Sequence, residues 1–339
     1  MRWIDPKYSK KKVKKAGEIL ISPNPSVNDI DQSMDVLSNW RASHAYPMHA
    51  MLIFLRKKSS EIDSKSIVVQ RLKRTPSILN KLTRFPGMKL HRMQDIGGCR
   101  SVLSTVNQVE KLSDIIRNSR TRHMFHKMDN YITIPKQSGY RGVHLVYKYN
   151  GAKTQFQDFF VEIQLRSKIQ HAWATAVEIV DTFTSQALKA SQGLEDWLNF
   201  FKYVSAEFSK LEKRSIGDHV EDIDTISESK RIECRLNAIN RLNAFAITTR
   251  LIANKKEHKS DYFLLLLQGE PQTITVKRYS AGSIELATKE YLEYERRAQK
   301  ETLFDAVLVS AASLHALKAA YPNYFADSRE FVKYYKKIF

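Results

Sequence analysis

Glu162, Gln164 and Arg166 stand at every second position of an otherwise apolar run, Phe159-Phe160-Val161-Glu162-Ile163-Gln164-Leu165-Arg166. Side chains alternate faces along an extended strand, so these three share one face while Val161, Ile163 and Leu165 share the other. A carboxylate, an amide and a guanidinium on one side of a core strand describe a strand that lines a polar site. Upstream, Arg71, Lys73 and Lys81 place cations around the short turn containing Thr75-Pro76-Ser77, a combination suited to gripping phosphate oxygens. Asp95 precedes Ile96-Gly97-Gly98-Cys99-Arg100, where two glycines allow another segment to come close. Asp95 reads equally as a turn acid and as a metal ligand.

These residues need elements to hold them. The β-branched run Ile67-Val68-Val69 predicts a strand that gives way to a helix at Ile78-Leu79-Asn80-Lys81, and Ile96 to Leu103 predicts a second strand followed by a helix over Asn107–Arg117. Before them, seven Lys and Arg within residues 1–15 read as a solvated, mobile arm or, more sharply, as a nucleic-acid contact. Ser22-Pro23-Asn24-Pro25-Ser26 is a loop, with Asn28 or Asp29 as the cap of the helix carrying Ile30, Met34, Leu37 and Trp40. A further helix from Pro47 to about Lys57 offers Met48, Met51, Leu52 and Leu55 to a core.

Beyond the polar strand, residues 188–214 and 226–257 carry helical apolar stripes, separated by Gly217 and an acidic patch over 218–224. Tyr262–Leu267 and Thr273–Tyr279 then predict a β-hairpin. A helix over 283–300, a strand over 304–309, a helix over 313–320 and a last helix near Asp327 complete a small ββαβα module without chemistry of its own.

A chain of 339 residues, 42% hydrophobic, can bury one large or two medium cores. Cys99 and Cys234 are far apart and form no CxxC, which points to neither a zinc site nor a disulfide framework and fits a reducing cytosol. No apolar run approaches the roughly 20 residues of a membrane span, and the basic N-terminus lacks an apolar signal core; the expectation is a cytoplasmic protein. The net charge of +19 is unevenly placed. Residues 1–178 hold 31 Lys and Arg against 14 Asp and Glu, the rest 24 against 22. The field of the first half concentrates polyanions.

Four blocks now line up. Arg71-x-Lys73-x-x-x-Ser77-x-x-x-Lys81, Asp95-Ile96-x-Gly98-x-Arg100, Tyr131-Ile132-x-x-Pro135-Lys136-x-x-Gly139-Tyr140-Arg141-x-x-His144 and Glu162-Ile163-Gln164-Leu165-Arg166 resemble, in order and spacing, the RelA/SpoT-type alarmone synthetase domain over roughly residues 40–185. The resemblance implies an α/β (α+β) fold, a mixed β-sheet flanked by helices and related to nucleotidyltransferases. It implies transfer of the β,γ-pyrophosphate of ATP to a ribose 3′-hydroxyl with Mg²⁺. Asp95 and Glu162 would then hold the metal, and Glu162 would also take the hydroxyl proton. Arg71 and Arg100 would sandwich adenine, and Lys73, Ser77 and Lys81 would neutralise phosphates, Lys81 through the transfer itself. On the acceptor side stand Tyr140 under the base, Lys136 and His144 beside it, Gln164 and Arg166 on the strand, and His171.

The likeness departs at Asn130, where the family carries an acid, and at Ala174-Thr175-Ala176-Val177-Glu178, whose acid comes one residue late. Both lie on the acceptor side. No His-Asp dipeptide occurs, which implies a protein that only synthesises. Tyr321-Pro322-Asn323-Tyr324 resembles the regulatory Tyr-x-x-Tyr element of fused toxin–antitoxin synthetases of the CapRel type, whose C-terminal domain covers the ATP site until a phage protein displaces it. Members of the toxic branch modify the 3′-CCA end of tRNA. The expected organisation is a synthetase domain over 1–185, a helical connector over 186–259 and a regulatory module over 260–339. The expected acceptor is tRNA. GDP or GTP is the alternative acceptor, and a non-enzymatic RNA-binding protein is the alternative class.

Overall fold

The computed structural model describes residues 3–184, 193–242, 250–253, 262–268, 273–300, 304–310 and 328–339. Among the described residues nine strands form one continuous sheet. In chain order they are β1 (Ile67–Leu72), β2 (Gly97–Leu103), β3 (Met124–Asn130), β4 (Val143–Lys148), β5 (Phe160–Ser167), β6 (Arg250–Ala253), β7 (Tyr262–Gln268), β8 (Thr273–Tyr279) and β9 (Phe304–Ser310). Across the sheet they run β3-β4-β5-β2-β1-β9-β7-β8-β6. The first five are the mixed sheet expected from the sequence: β5 lies parallel to β2 and antiparallel to β4, and β1 is antiparallel to β2.

One face of this half-sheet is apolar. Val161, Ile163 and Leu165 are wholly buried, with Cys99 and Leu103, beneath helices α3 (Ala45–Ile62) and α5 (Val106–Asn118). Met48, Met51, Leu52 and Leu55 of α3 supply that core, as their spacing predicts. A second core is built by α1 (Lys10–Leu20), α2 (Val27–Ser43) and α4 (Thr75–Arg84) around Leu37, Trp40, Ile78 and Phe159. It fixes α4 against the end of the sheet. A third joins α6 (Lys168–Thr184), α7 (Gly193–Leu211), α8 (Thr225–Leu236) and the last helix, here called α10 (Arg329–Tyr335), through Trp173, Phe200, Phe201, Phe208 and Phe331. The hairpin β7–β8 and helix α9 (Ile284–Lys300) bury Tyr262, Leu264, Ile284 and Tyr291 in a fourth. No described helix is long and apolar enough to cross a membrane.

Four expectations are corrected. The basic segment is not an unattached arm: Lys10–Leu20 is helical, capped by the Ser9 hydroxyl, with Val13 and Ala16 buried and the lysines outward. The cap of α2 is Ser26, whose hydroxyl accepts from the Asp29 N–H, rather than Asn28 or Asp29. The helix beginning at 225 is interrupted at Asn237, which adopts φ 50°, before 238–242 turn helical again, and residues 250–253 are a strand parallel to β8. Ile252 thus belongs to a sheet, where it pairs with Thr275 of β8 and the strand's backbone groups find partners. The fourth is β3, which the sequence reading leaves unassigned. It is an edge strand with Met124 and Phe125 exposed, so it shows no alternation to find. The helix expected over 313–320 and the tyrosines Tyr321 and Tyr324 lie outside the described residues.

Candidate active site

Register places the chemistry. Arg71 of β1 pairs with Gly98 of β2, and Gly98 with Glu162 of β5, so the three positions form one row across three strands. The next row holds Arg100, Gln164 and His144. Paired residues face the same side, so the polar strand face, both arginines and the histidine converge. A Cβ on Gly98 would meet nothing nearer than backbone oxygens at 3.8 and 3.9 Å. The glycine therefore leaves a gap in its row, and any larger side chain there would stand between Arg71 and Glu162.

That gap is a shallow pocket of about 70 Å³ lined by Arg71, Lys73, Asp95, Gly98, Arg100, Glu162 and Gln164, with Cys99 at its floor. Among the described residues its lining contains none beyond 164. Asp95 is its anchor. Its Oδ2 meets the Lys73 ammonium at 3.1 Å and the Lys81 ammonium at 2.9 Å, while its buried Oδ1 has no hydrogen-bond partner. Lys81 comes from the second turn of α4; Ser77, four residues earlier and on the same side, lies in the first turn, half-buried. No group of three His, Cys, Asp or Glu suited to a metal occurs among the described residues. Two carboxylates in one pocket, one with a buried unpartnered oxygen, still fit Mg²⁺, which is commonly held by one or two carboxylates together with substrate phosphates.

The second half of the site is a chain of hydrogen bonds along β4 and β5. Glu162 accepts from His144 Nδ1 at 2.9 Å and from the Gln164 amide at 2.7 Å. His144 Nε2 lies 2.5 Å from the Tyr140 hydroxyl, which also accepts from Arg166 at 3.1 and 3.3 Å. Burial alone would raise the Glu162 carboxyl; the His144 and Gln164 hydrogen bonds, with the charges of His144 and Lys81, outweigh it and hold the group down at about 2. Burial disfavours a charged His144, yet the neighbouring Tyr140 and Glu162 push it up to about 9. Burial likewise raises Tyr140, and the Arg166 and His144 charges bring it down to about 8.

An ionised Glu162 can only accept, so Nδ1 of His144 carries a proton. The Tyr140–His144 contact then shares one further proton, and the two Arg166 donors draw it towards the nitrogen.

The loop between β3 and β4 presents the rest. Lys136 sits with its ammonium 4.3 Å from the Tyr131 ring centre and 5.2 Å from that of Tyr140. Tyr131 packs edge-on against both Tyr140 and His144. Sequence reasoning omitted Tyr131 from the site although the Tyr-Ile pair opens its own block; the signal was there. Gly139 turns the loop at φ 86°, and a Cβ there would lie 2.9 Å from Ser205 Cβ and 3.1 Å from Lys202 Cα of α7. Arg141, buried, ties the loop down by donating to the carbonyls of Ile132 and Ile216. His171 is buried near the start of α6 and does not line the pocket. The structure thus gathers Arg71, Lys73, Lys81, Asp95, Arg100, Glu162 and Gln164 on one side and Lys136, Tyr140, His144 and Arg166 on the other. Ser77 and His171 stand at the margins.

A larger cavity of about 660 Å³ lies elsewhere, between residues 3–8, α2 and α9. It shares no residue with this cluster.

The pocket is cationic, anchored by two carboxylates, and opens at the strands of a mixed sheet. Residues 70–180 match the model of the region found in RelA/SpoT proteins. Over 115 residues it is 33% identical to the GTP pyrophosphokinase YjbM of Bacillus subtilis, covering 32% of this chain and 52% of that protein. Over 112 residues it is 30% identical to the GTP pyrophosphokinase YwaC of the same organism, covering 31% and 52%. The chain thus spans about half the length of the curated relatives it matches. Among solved structures it is similar to the small alarmone synthetase 1 of Bacillus subtilis bound to its product pppGpp. There the TM-score is 0.43 at 22% identity, covering 50% of this chain and 88% of that one. It is also similar to a GTP pyrophosphokinase family protein from Streptococcus pneumoniae, with a TM-score of 0.40 at 20% identity, covering 60% and 98%.

Proposed function

We propose that this chain is an ATP-dependent pyrophosphokinase that transfers the β,γ-pyrophosphate of ATP to a ribose 3′-hydroxyl. The observation that carries the reading is the single polar face on which a donor pocket and a cation–aromatic cluster adjoin, sharing Glu162 and Gln164. Arg71 and Arg100 flank the adenine, and the lysines now on Asp95 turn to the phosphates. The acceptor oxygen attacks Pβ, the bond from Pβ to the α,β-bridging oxygen breaks, and AMP leaves with that electron pair. Positioning and neutralisation do most of this work. Asp95 and Glu162 are the residues that would hold Mg²⁺, which when bound neutralises charge on the transferring phosphates. The hydroxyl proton passes to the carboxylate end of the Glu162–His144–Tyr140 chain, whose mobile proton lets the charge redistribute.

For the acceptor we favour the 3′ end of tRNA, supported by the excess of 31 cationic over 14 acidic residues in the first 178. The names of the curated relatives favour GDP or GTP as a second reading. In this reading residues 1–185 are the synthetase, 186–259 the connector and 260–339 the regulatory module. The segment with Tyr321 and Tyr324 restrains the enzyme until a phage protein engages it. ATP labelled at the γ-phosphate, incubated with the protein and either tRNA or GDP, decides the acceptor. Label on tRNA is the expected result; label only in guanosine nucleotides replaces tRNA with the second reading. No transfer to either by the chain carrying Tyr321→Ala and Tyr324→Ala to lift the restraint, with ATP intact, leaves a non-enzymatic RNA-binding protein.

A further inference from the structure

Arg41 is the largest fully buried side chain in the molecule's described core, 1% exposed, on α2 and away from the pocket. Burying a guanidinium is costly unless its donors are used. Its Nε donates to the main-chain carbonyl of Lys73, and its carbon centre lies 4.8 Å from the ring centre of Tyr291, on α9. Tyr291 is also 1% exposed. One side chain therefore touches the residue that carries a donor-site ammonium and the helix of the C-terminal module at once. The same short stretch is gripped a second way: Gln70 and Arg71 pair with Ser310 and Val309 of β9. The Lys73 N–H meanwhile donates to the Ile96 carbonyl at 2.8 Å, next to Asp95. Beside Tyr291 a cavity of about 20 Å³ is lined by Ala42, Met48, Leu72, Ile284 and Leu308.

We propose that Arg41 is a positioning residue through which the docked C-terminal module holds the end of β1 in its donor-binding form. With the carbonyl of Lys73 pinned by Arg41 and its N–H pinned by Ile96, the backbone of this residue has little freedom and its ammonium is aimed at Asp95. Tyr291 closes over the guanidinium, keeps it out of water and so strengthens its bond to the carbonyl. The module in this view is part of the donor site's frame, separately from any restraint exerted by the Tyr321–Tyr324 segment. The kinetic form of the idea rests on the pyrophosphokinase reading; the structural form does not.

The test is a double-mutant cycle on the full chain with Arg41→Met, Tyr291→Leu and the pair, read in two ways. Hydrogen–deuterium exchange of the peptide covering residues 70–75 needs no activity. Each single variant is expected to speed its exchange, and the double variant to exchange no faster than Arg41→Met alone. In the transfer assay, the KM for ATP is expected to rise about tenfold in Arg41→Met and several-fold in Tyr291→Leu, without additivity, while the acceptor KM stays within twofold. Arg41→Lys keeps the charge but loses the planar donor and is expected to recover only part of the effect. Unchanged exchange in 70–75 for either single variant overturns the proposal, as does full additivity. If the chain fails to transfer pyrophosphate even with Tyr321→Ala and Tyr324→Ala lifting the restraint, the functional reading falls while the exchange experiment still decides the role of Arg41.

Discussion

Glu162 is the residue on which both halves of the site depend, because its two oxygens are already taken by His144 and Gln164. Glu162→Gln keeps the shape and removes the charge. Transfer is expected to fall at least about a hundredfold, the lower range for loss of a group that handles a proton, measured with labelled ATP. The same substitution changes acid stability in a defined direction. The folded carboxyl sits at about 2, below its ordinary 4.5, so between those values the unfolded chain binds more protons than the folded one. Stability from this group is complete above pH 4.5 and is lost as the pH falls towards 2. At roughly 1.36 kcal/mol per unit the loss is at most about 3.4 kcal/mol. Melting curves from pH 6 to pH 3 should therefore drop more steeply for the native chain than for Glu162→Gln. Equal slopes would show that the His144 contact does not hold the carboxylate ionised.

At the scale of elements, the loop between β3 and β4 owes its shape to Gly139. An alanine there meets a positive φ of 86° and two atoms of α7 at 2.9 and 3.1 Å. Gly139→Ala is expected to cost about 1–3 kcal/mol of stability and to raise the acceptor KM with little change in that for ATP. A matched rise in both would mean that the loop serves the donor as well.

The contrast between this loop and β5 explains what was legible in the sequence. Glu162, Gln164 and Arg166 announce their shared face because strand periodicity is local and rigid. The pairing of Arg71, Gly98 and Glu162 in one row depends on register between strands 64 residues apart in sequence, which no local pattern encodes, and spacing alone could only suggest it. The β3 edge, with exposed Met124 and Phe125, carries no periodic signal. Asn237 hid a helix interruption because a single left-handed residue looks like any other polar position. Arg41 looks in sequence like one more residue of an amphipathic helix, since its partners Lys73 and Tyr291 come from remote segments.

For the whole molecule, the sheet that runs on from β1 into β9 and the return of α10 change what removing the C-terminal module would do. Phe331 packs with Phe200, Phe201 and Phe208 in the core behind the acceptor loop, and β9 covers the edge of β1. Deleting residues 260–339 therefore strips both an edge partner and a core aromatic, the latter alone worth about 3–5 kcal/mol. The truncated chain is expected to be less active and to melt earlier, whereas Tyr321→Ala with Tyr324→Ala in the full chain is expected to be more active. Transfer assays beside melting curves separate the two, and an active, stable truncation would remove the module from the donor site's frame.

The charge of the first half makes the final prediction. A tRNA acceptor engaging about four phosphates beyond the reacting ribose releases counterions along the basic face, and a fourfold rise in salt should then weaken it on the order of fiftyfold. In the proposed reading ATP occupies the shallow pocket lined by Arg71, Lys73 and Arg100 and should weaken far less over the same range. The acceptor KM measured from about 50 to 200 mM salt is thus expected to climb steeply while the KM for ATP hardly moves. Parallel, shallow dependences would place the acceptor among mononucleotides and leave the basic surface of α1, with its outward lysines, outside the reaction.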